Sequence, residues 1–216
     1  MHLILIGGGE HARVVIEAAR SRPDLWDVRG FVDPRPNEET SRRLNLPWLG
    51  SDQHGRELAA SGAVHFILGL AGLRSRQARM ELAAMYDGVG AKWATVVHAA
   101  AWVSPTARLE GGAFISAGAL VNTGANVERH VVVNTGAVIE HDVVLEGFAQ
   151  VSPGVTVGGA GRIGRNAYIG LGACVRDHVE VGESATVGMG AIVVAHVPKQ
   201  AVVMGNPARC RGAERR

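Results

Sequence analysis

A six-residue rhythm constrains this chain more than any other feature of its sequence. Starting at Val97 and stepping by six gives seventeen positions that end at Val193, and every one is Val, Leu or Ile. Four residues after each of these stands Ala, Val or Gly, from Ala101 to Val197, again without exception. One branched aliphatic per hexad, followed by a small residue, suits a short flat strand and then a tight corner. Three such units close a triangular coil, with the aliphatics stacked inward and the coils paired in parallel. Residues eighteen apart then lie above one another, and the seventeen units make between five and six coils. The rhythm does not give the winding hand.

The composition agrees with a coil of close-set backbone. The chain has 29 glycines, while aromatic residues make up only 5% of it. Net charge is +2, which excludes the strong basic field of a nucleic-acid-binding protein. The arginines that end the chain, Arg209, Arg211, Arg215 and Arg216, read as a solvated tail. The two cysteines, Cys174 and Cys210, have neither CxxC spacing nor a disulfide framework; Cys174 lies inside a hexad and reads as packing. No stretch reaches the roughly 18 apolar residues of a membrane span. The opening Met1-His2-Leu3-Ile4-Leu5-Ile6 lacks a basic leader region and reads as a first strand rather than a signal peptide. The expectation is a cytoplasmic protein without membrane insertion.

The first ninety residues follow a different logic. Residues 2–6 form a buried strand, Gly7-Gly8-Gly9 a turn, and 10–21 a helix with Val14, Val15, Ala18 and Ala19 on or near one face. Val28 to Val32 is a second strand that ends at Asp33-Pro34. His65 to Leu68 is another strand before Gly69, and 74–86 another helix. Residues 34–48, rich in Pro, Arg and Glu, read as a loop. The alternation is a Rossmann-like βαβ pattern. The expected division is an α/β domain at 1–90, a β-helix at 91–198 and a tail at 199–216.

Two places carry chemistry. Gly7-Gly8-Gly9-Glu10-His11-Ala12 fits G-x-G-x-x-A between a strand and a helix, with Asp33 further along at the end of the second strand. Such a turn lets backbone approach a phosphate or ribose, and the helix start offers free N–H groups. A purely structural turn is the bland alternative. The domain is short for a dinucleotide fold, so a mononucleotide sugar fits better. The second place is His141, in Asn134-Thr135-Gly136-Ala137-Val138-Ile139-Glu140-His141-Asp142. It lies two residues after an inward aliphatic, hence near a corner, and an acid follows it. A carboxylate beside an imidazole fixes its tautomer and supports proton uptake, as a general base requires. Stacking by eighteen places Thr123 and Gly159 on either side of His141. Gly158 and Gly159 add no side chain, which leaves room there for a thioester and its pantetheine arm; two glycines merely suiting a tight corner is nearly as good a reading. The three-histidine zinc arrangement of some triangular β-helices has an H-x4-H spacing that is absent here, so no metal is expected.

These segments resemble the nucleotide-sugar N-acetyltransferases and sialic-acid O-acetyltransferases of the hexapeptide-repeat superfamily, such as UDP-4-amino-sugar and GDP-perosamine N-acetyltransferases. The likeness rests on IGGGEHARVV at the start, FVD at 31–33, LG at 68–69, NTGAVIEHD at 134–142 and GNPAR at 205–209. It implies a left-handed parallel β-helix, a winding that departs from the usual right-handed crossover. It implies His141 as general base with Asp142 as its partner. Gly9, Glu10 and His11 would touch the nucleotide sugar, Asp33 and Gly69 would lie near the base or ribose, and Asn134 near the reacting sugar. Gly159 and Leu171 would meet acetyl-CoA, mostly through backbone. The family is a homotrimer with its coenzyme cleft between adjacent β-helices. Two departures stand out. Some members have a second histidine where this chain has Gln150, whose amide could still donate to the coenzyme, and some have Glu where this chain has Asp142.

The reading is an acetyl-CoA-dependent acetyltransferase acting on the amine of a nucleotide-linked sugar. An O-acetyltransferase of a sugar hydroxyl and a non-catalytic sugar-nucleotide-binding scaffold are its rivals. The nucleotide, the sugar and the acyl chain length are not legible in the sequence.

Overall fold

A computed structural model describes residues 1–210, which divide into two compact units. The first is Met1–Ala99 and the second begins at Ala100. Arg211, Arg215 and Arg216 of the expected tail lie outside the described residues.

The first unit is a five-stranded parallel sheet with order β3-β2-β1-β4-β5. Its strands are β1 (His2–Ile6), β2 (Asp27–Val32), β3 (Trp48–Gly50), β4 (His65–Leu68) and β5 (Lys92–Trp93). Its helices are α1 (Glu10–Arg20), α2 (Glu38–Leu44), α3 (Asp52–Ala60) and α4 (Arg76–Asp87). Strand β1 is central because its run of apolar residues is buried from Leu3 to Ile6, as a parallel strand covered on both faces requires. Helix α1 packs Ala12, Val15, Ile16, Ala18 and Ala19 inward.

The segment 34–48 is not a loop throughout. It contains α2, whose start is capped by Asn37 accepting the Thr40 N–H at 3.0 Å. Its end is turned by Asn45 in the left-handed conformation. Acids in its first turn and arginines in its last complement the helix dipole. The Thr40 hydroxyl, fully buried, donates to Gly8 O at 2.7 Å and so ties this segment to the glycine turn.

The second unit is a left-handed parallel β-helix. Its two-residue strands stack into three sheets. The first runs through Trp102–Val103, Leu120–Val121, Val138–Ile139, Thr156–Val157, Cys174–Val175 and Ile192–Val193. The second runs through Arg108–Leu109, Asn126–Val127, Val144–Leu145, Arg162–Ile163 and Glu180–Val181. The third passes through Phe114–Ile115, Val132–Val133, Gln150–Val151, Tyr168–Ile169 and Thr186–Val187, and closes with Val202–Met204 and the antiparallel Arg209–Cys210. Every pairing within the repeat joins residues eighteen apart, such as Leu120 with Val138 and Ile139 with Val157. The inward aliphatics are buried from Ile115 to Val193; Val103 and Leu109, in the first coil, are half-buried. The register breaks at the end of the repeat, where Val181 bridges Val197 and Thr186 pairs with Val202, each sixteen residues on.

The corners explain the rhythm physically. From Gly112 to Gly190 every sixth residue has a φ between 53° and 82°, the left-handed region. Half of these positions are not glycine, among them His130, Asp142, Phe148 and Asn166. A corner thus repeats once per hexad and turns the chain by one side of the triangle, at a conformational cost that L-residues pay unless a small polar side chain or packing offsets it.

Candidate active site

In the first unit, the turn after β1, the start of α1, the end of β2 and the end of β4 meet at the carboxyl edge of the sheet. That edge is where parallel α/β sheets bind ligands. Gly9, Glu10, His11, Asp33 and Gly69 all line one groove there, of about 360 Å³. Each glycine has its own reason. A side chain on Gly8 would run into the Phe31 ring, at 2.4 Å from Cβ. One on Gly69 would meet Gly7 O at 2.6 Å, since β4 approaches the turn closely enough for the Gly69 N–H to donate to Ile6 O at 2.7 Å. Nothing lies within 4 Å of a Cβ on Gly9, which faces open space.

Asp33 has a double hold on this edge. Its Oδ2 accepts the Gly8 N–H at 2.9 Å and its Oδ1 the Arg35 N–H at 3.2 Å. It therefore braces the glycine turn as well as facing the groove. His11 is pushed down to about 4, first by burial and then by the charge of Arg79, so its ring is neutral near pH 7. Arg79 is itself 1% exposed.

In the second unit, His141 and Asp142 occupy a corner between the first and second sheets. Asp142 has φ 59°. His141 Nδ1 lies 3.0 Å from Asp142 Oδ2. An ionised carboxylate only accepts, so Nδ1 carries the proton and Nε2 keeps its lone pair. Nε2 sits over the bare face of Gly159: a Cβ there would lie 2.5 Å from it. The side chains of His141 and Asp142 are 56% and 66% exposed, so the pair is open to a substrate. The coils on either side frame it. Asp142 N–H donates to Thr123 O at 3.0 Å, and Ala160 N–H donates to His141 O at 2.8 Å.

Two supports were not anticipated. Glu140 Oε2 accepts the His141 N–H at 3.3 Å and the Asn122 amide at 3.1 Å, which fixes the backbone before the dyad. Gly124 lies under Asp142, where a Cβ would come within 2.3 Å of Oδ1. It stands eighteen residues before Asp142, so the stacking rule already contained it.

The other expected residues fall elsewhere on the β-helix. Asn134 precedes the corner at Gly136, at the opposite end of the Val138–Ile139 strand from His141, and its Oδ1 accepts the Thr135 N–H at 2.8 Å. Leu171 is 50% exposed at another corner of the kind that carries Asn134. Gln150, by contrast, is 2% exposed. Among the described residues, no three His, Cys, Asp or Glu side chains are grouped to hold a metal ion, and no helix is long and apolar enough to cross a membrane.

The PglD N-terminal domain family matches residues 2–82. No curated protein matches the chain. Among solved structures, the acetyltransferase domain of PglB from Neisseria gonorrhoeae FA1090, in complex with acetyl coenzyme A, superposes with a TM-score of 0.87 at 30% identity. That alignment covers 97% of this chain and 98% of the other. The chain belongs to the hexapeptide-repeat sugar N-acetyltransferase family. A second relative within the family is a histidine-to-asparagine mutant of perosamine N-acetyltransferase from Caulobacter crescentus, in complex with CoA and GDP-perosamine. It has a TM-score of 0.88 and 29% identity, covering 98% of this chain and 97% of that one. WeeI from Acinetobacter baumannii AYE, 18% identical with a TM-score of 0.73 over 98% of this chain and 100% of its own, shares the fold. The protein is accordingly an acyltransferase enzyme.

Proposed function

We propose that this enzyme transfers acetyl from acetyl-CoA to the amino group of a nucleotide-linked amino sugar, with His141 as general base. The observation that carries the proposal is the orientation of the imidazole. Asp142 engages Nδ1, so the free lone pair on Nε2 faces the one neighbouring corner without a side chain, at Gly159. The amine nitrogen attacks the thioester carbonyl carbon while Nε2 takes its proton. The tetrahedral intermediate then collapses, the C–S bond breaks, and the thiolate of coenzyme A leaves and takes up that proton. A positioned base contributes roughly 10²–10⁴-fold to such a step. No nucleophilic cysteine or serine is needed.

Coenzyme contacts are assigned to Gly159 and Leu171, with Gln150 the least accessible of the three. The nucleotide is assigned to the groove of Gly9, Glu10, His11, Asp33 and Gly69, and Asn134 to the reacting sugar. The start of α1, which no side chain caps, and a neutral histidine beside it suit a diphosphate with a ribose. The relatives bound to acetyl coenzyme A and to CoA with GDP-perosamine support these two classes of ligand. A homotrimer follows the same reasoning: an isolated solenoid has long sides to cover, and the outer row of the first sheet leaves Trp102 and Leu120 49% and 41% exposed. Cytoplasmic location is part of the same proposal.

The test is release of coenzyme A thiol from acetyl-CoA with 4-amino nucleotide sugars, with sialic acid, and with no acceptor. Release with the amino sugars supports the reading. Release with sialic acid alone replaces it by O-acetyl transfer, and none with any acceptor leaves a binding scaffold.

A further inference from the structure

The groove at the sheet edge opens beside a second, more apolar cavity of about 290 Å³, and the two share Gly7, Asp33 and Leu70 as lining. That volume lies just below the roughly 300–1,000 Å³ typical of ligand pockets, suited to one ring system rather than a whole sugar nucleotide. Its walls include Ile6, Pro34, Leu82 and Met85. These apolar surfaces can sandwich the faces of a planar ring. Its polar lining consists of carboxylates: Asp33, Asp52 and Glu81.

Two of these acids are already engaged. Asp33 accepts two backbone N–H groups, and Glu81 accepts the Gln77 amide at 2.8 Å. Asp52, in the first turn of α3, differs. Burial and the charge of Asp33 push its carboxyl upward, Arg56 acts the other way, and none of these influences is a hydrogen bond. A half-buried carboxylate beside an apolar cavity gains most from a ligand that brings donors to it.

Resting on the nucleotide-sugar reading above, we propose that this cavity holds the nucleobase, that Asp52 reads it, and that the base is guanine. A carboxylate binds best to two adjacent N–H donors, which it can accept bidentately. Among the common bases, the guanine edge bearing N1–H and the C2 amino group offers that pair. Uracil and thymine present a single N–H between two carbonyl oxygens, which a carboxylate repels. Adenine offers one amino group beside a ring-nitrogen acceptor. Asp52 is therefore a specificity residue, and the preferred substrates are GDP-linked sugars.

Calorimetric titration of the full-length protein with GDP, UDP, dTDP and ADP tests this. GDP is expected to bind at least about tenfold more tightly than the others, within the discrimination that built polar sites achieve. Asp52→Asn is expected to weaken GDP at least tenfold and to leave UDP unchanged. The same variant should gain affinity for xanthosine diphosphate, whose C2 oxygen accepts from the new amide. That gain separates direct contact from a folding defect, because a misfolded variant gains no ligand. Equal or tighter binding of UDP or dTDP, or unchanged GDP affinity in Asp52→Asn, overturns the base assignment and leaves the nucleotide site standing. Binding of none of the four overturns the nucleotide site and the base assignment together.

Discussion

His141 Nδ1 and Asp142 Oδ2 lie 3.0 Å apart although the two residues are chain neighbours. On a strand, adjacent side chains point to opposite faces. Here the left-handed φ of 59° at Asp142 rotates the chain at the corner and brings the two side chains to one side. The dyad is thus a product of the same six-residue turn that builds the coil.

Asp142→Asn should expose that dependence. An asparagine amide can donate to Nδ1, which moves the ring proton to Nε2 and removes the free lone pair. Turnover is expected to fall at least about tenfold, up to the roughly 10²–10⁴-fold that a positioned base supplies. Nitrogen-15 NMR of the His141 ring should show the proton moving from Nδ1 to Nε2. An unchanged tautomer with full turnover contradicts the account.

The two adjacent glycines should separate into stability and activity. A Cβ on Gly158 would lie 2.5 Å from the backbone nitrogen of Asp177, so Gly158→Ala strains the stack of coils. About 1–3 kcal/mol of destabilisation is expected, the usual range for overpacking, seen as a lower urea midpoint. A Cβ on Gly159 meets the imidazole instead. Gly159→Ala should displace the His141 ring and lower turnover at least about tenfold, with a smaller change in midpoint. The reverse pattern would mean that Gly159 serves packing alone.

Stability should fall in acid through His11. Its pKa is about 4 in the fold against 6.5 for a free histidine, so between these values the unfolded chain binds a proton that the native state refuses. The stability is fully present above pH 6.5 and is lost progressively as pH falls towards 4. At 1.36 kcal/mol per unit the loss is about 3 kcal/mol. Urea titrations between pH 4 and 7 should show a shallower fall for His11→Gln than for the native chain. Parallel curves would contradict this.

Much of this architecture is legible in the sequence because a solenoid is nearly one-dimensional: the hexad list contains the strands, the eighteen-residue register and the neighbours of His141. The first three elements of the α/β unit are legible from the apolar run Leu3–Ile6, the glycine turn and the face of α1. Helices α2 and α3 are not, because seven and nine residues give little period to read; the Asn37 cap and the turn at Asn45 are the signals that mark α2. The burial of Gln150 is illegible for another reason. Its strand position precedes the inward Val151 and so faces outward, where the hexad pattern carries no signal of burial. Asp52 shows no pattern until α3 and the end of β2 are seen to line the same cavity.

The most direct test of the central claim is the steady-state turnover of His141→Ala with acetyl-CoA and the preferred amino-sugar nucleotide, alongside a thermal melt. The account predicts a loss of roughly 10²–10⁴-fold in turnover with an unchanged melt. Undiminished turnover in a folded variant would contradict it.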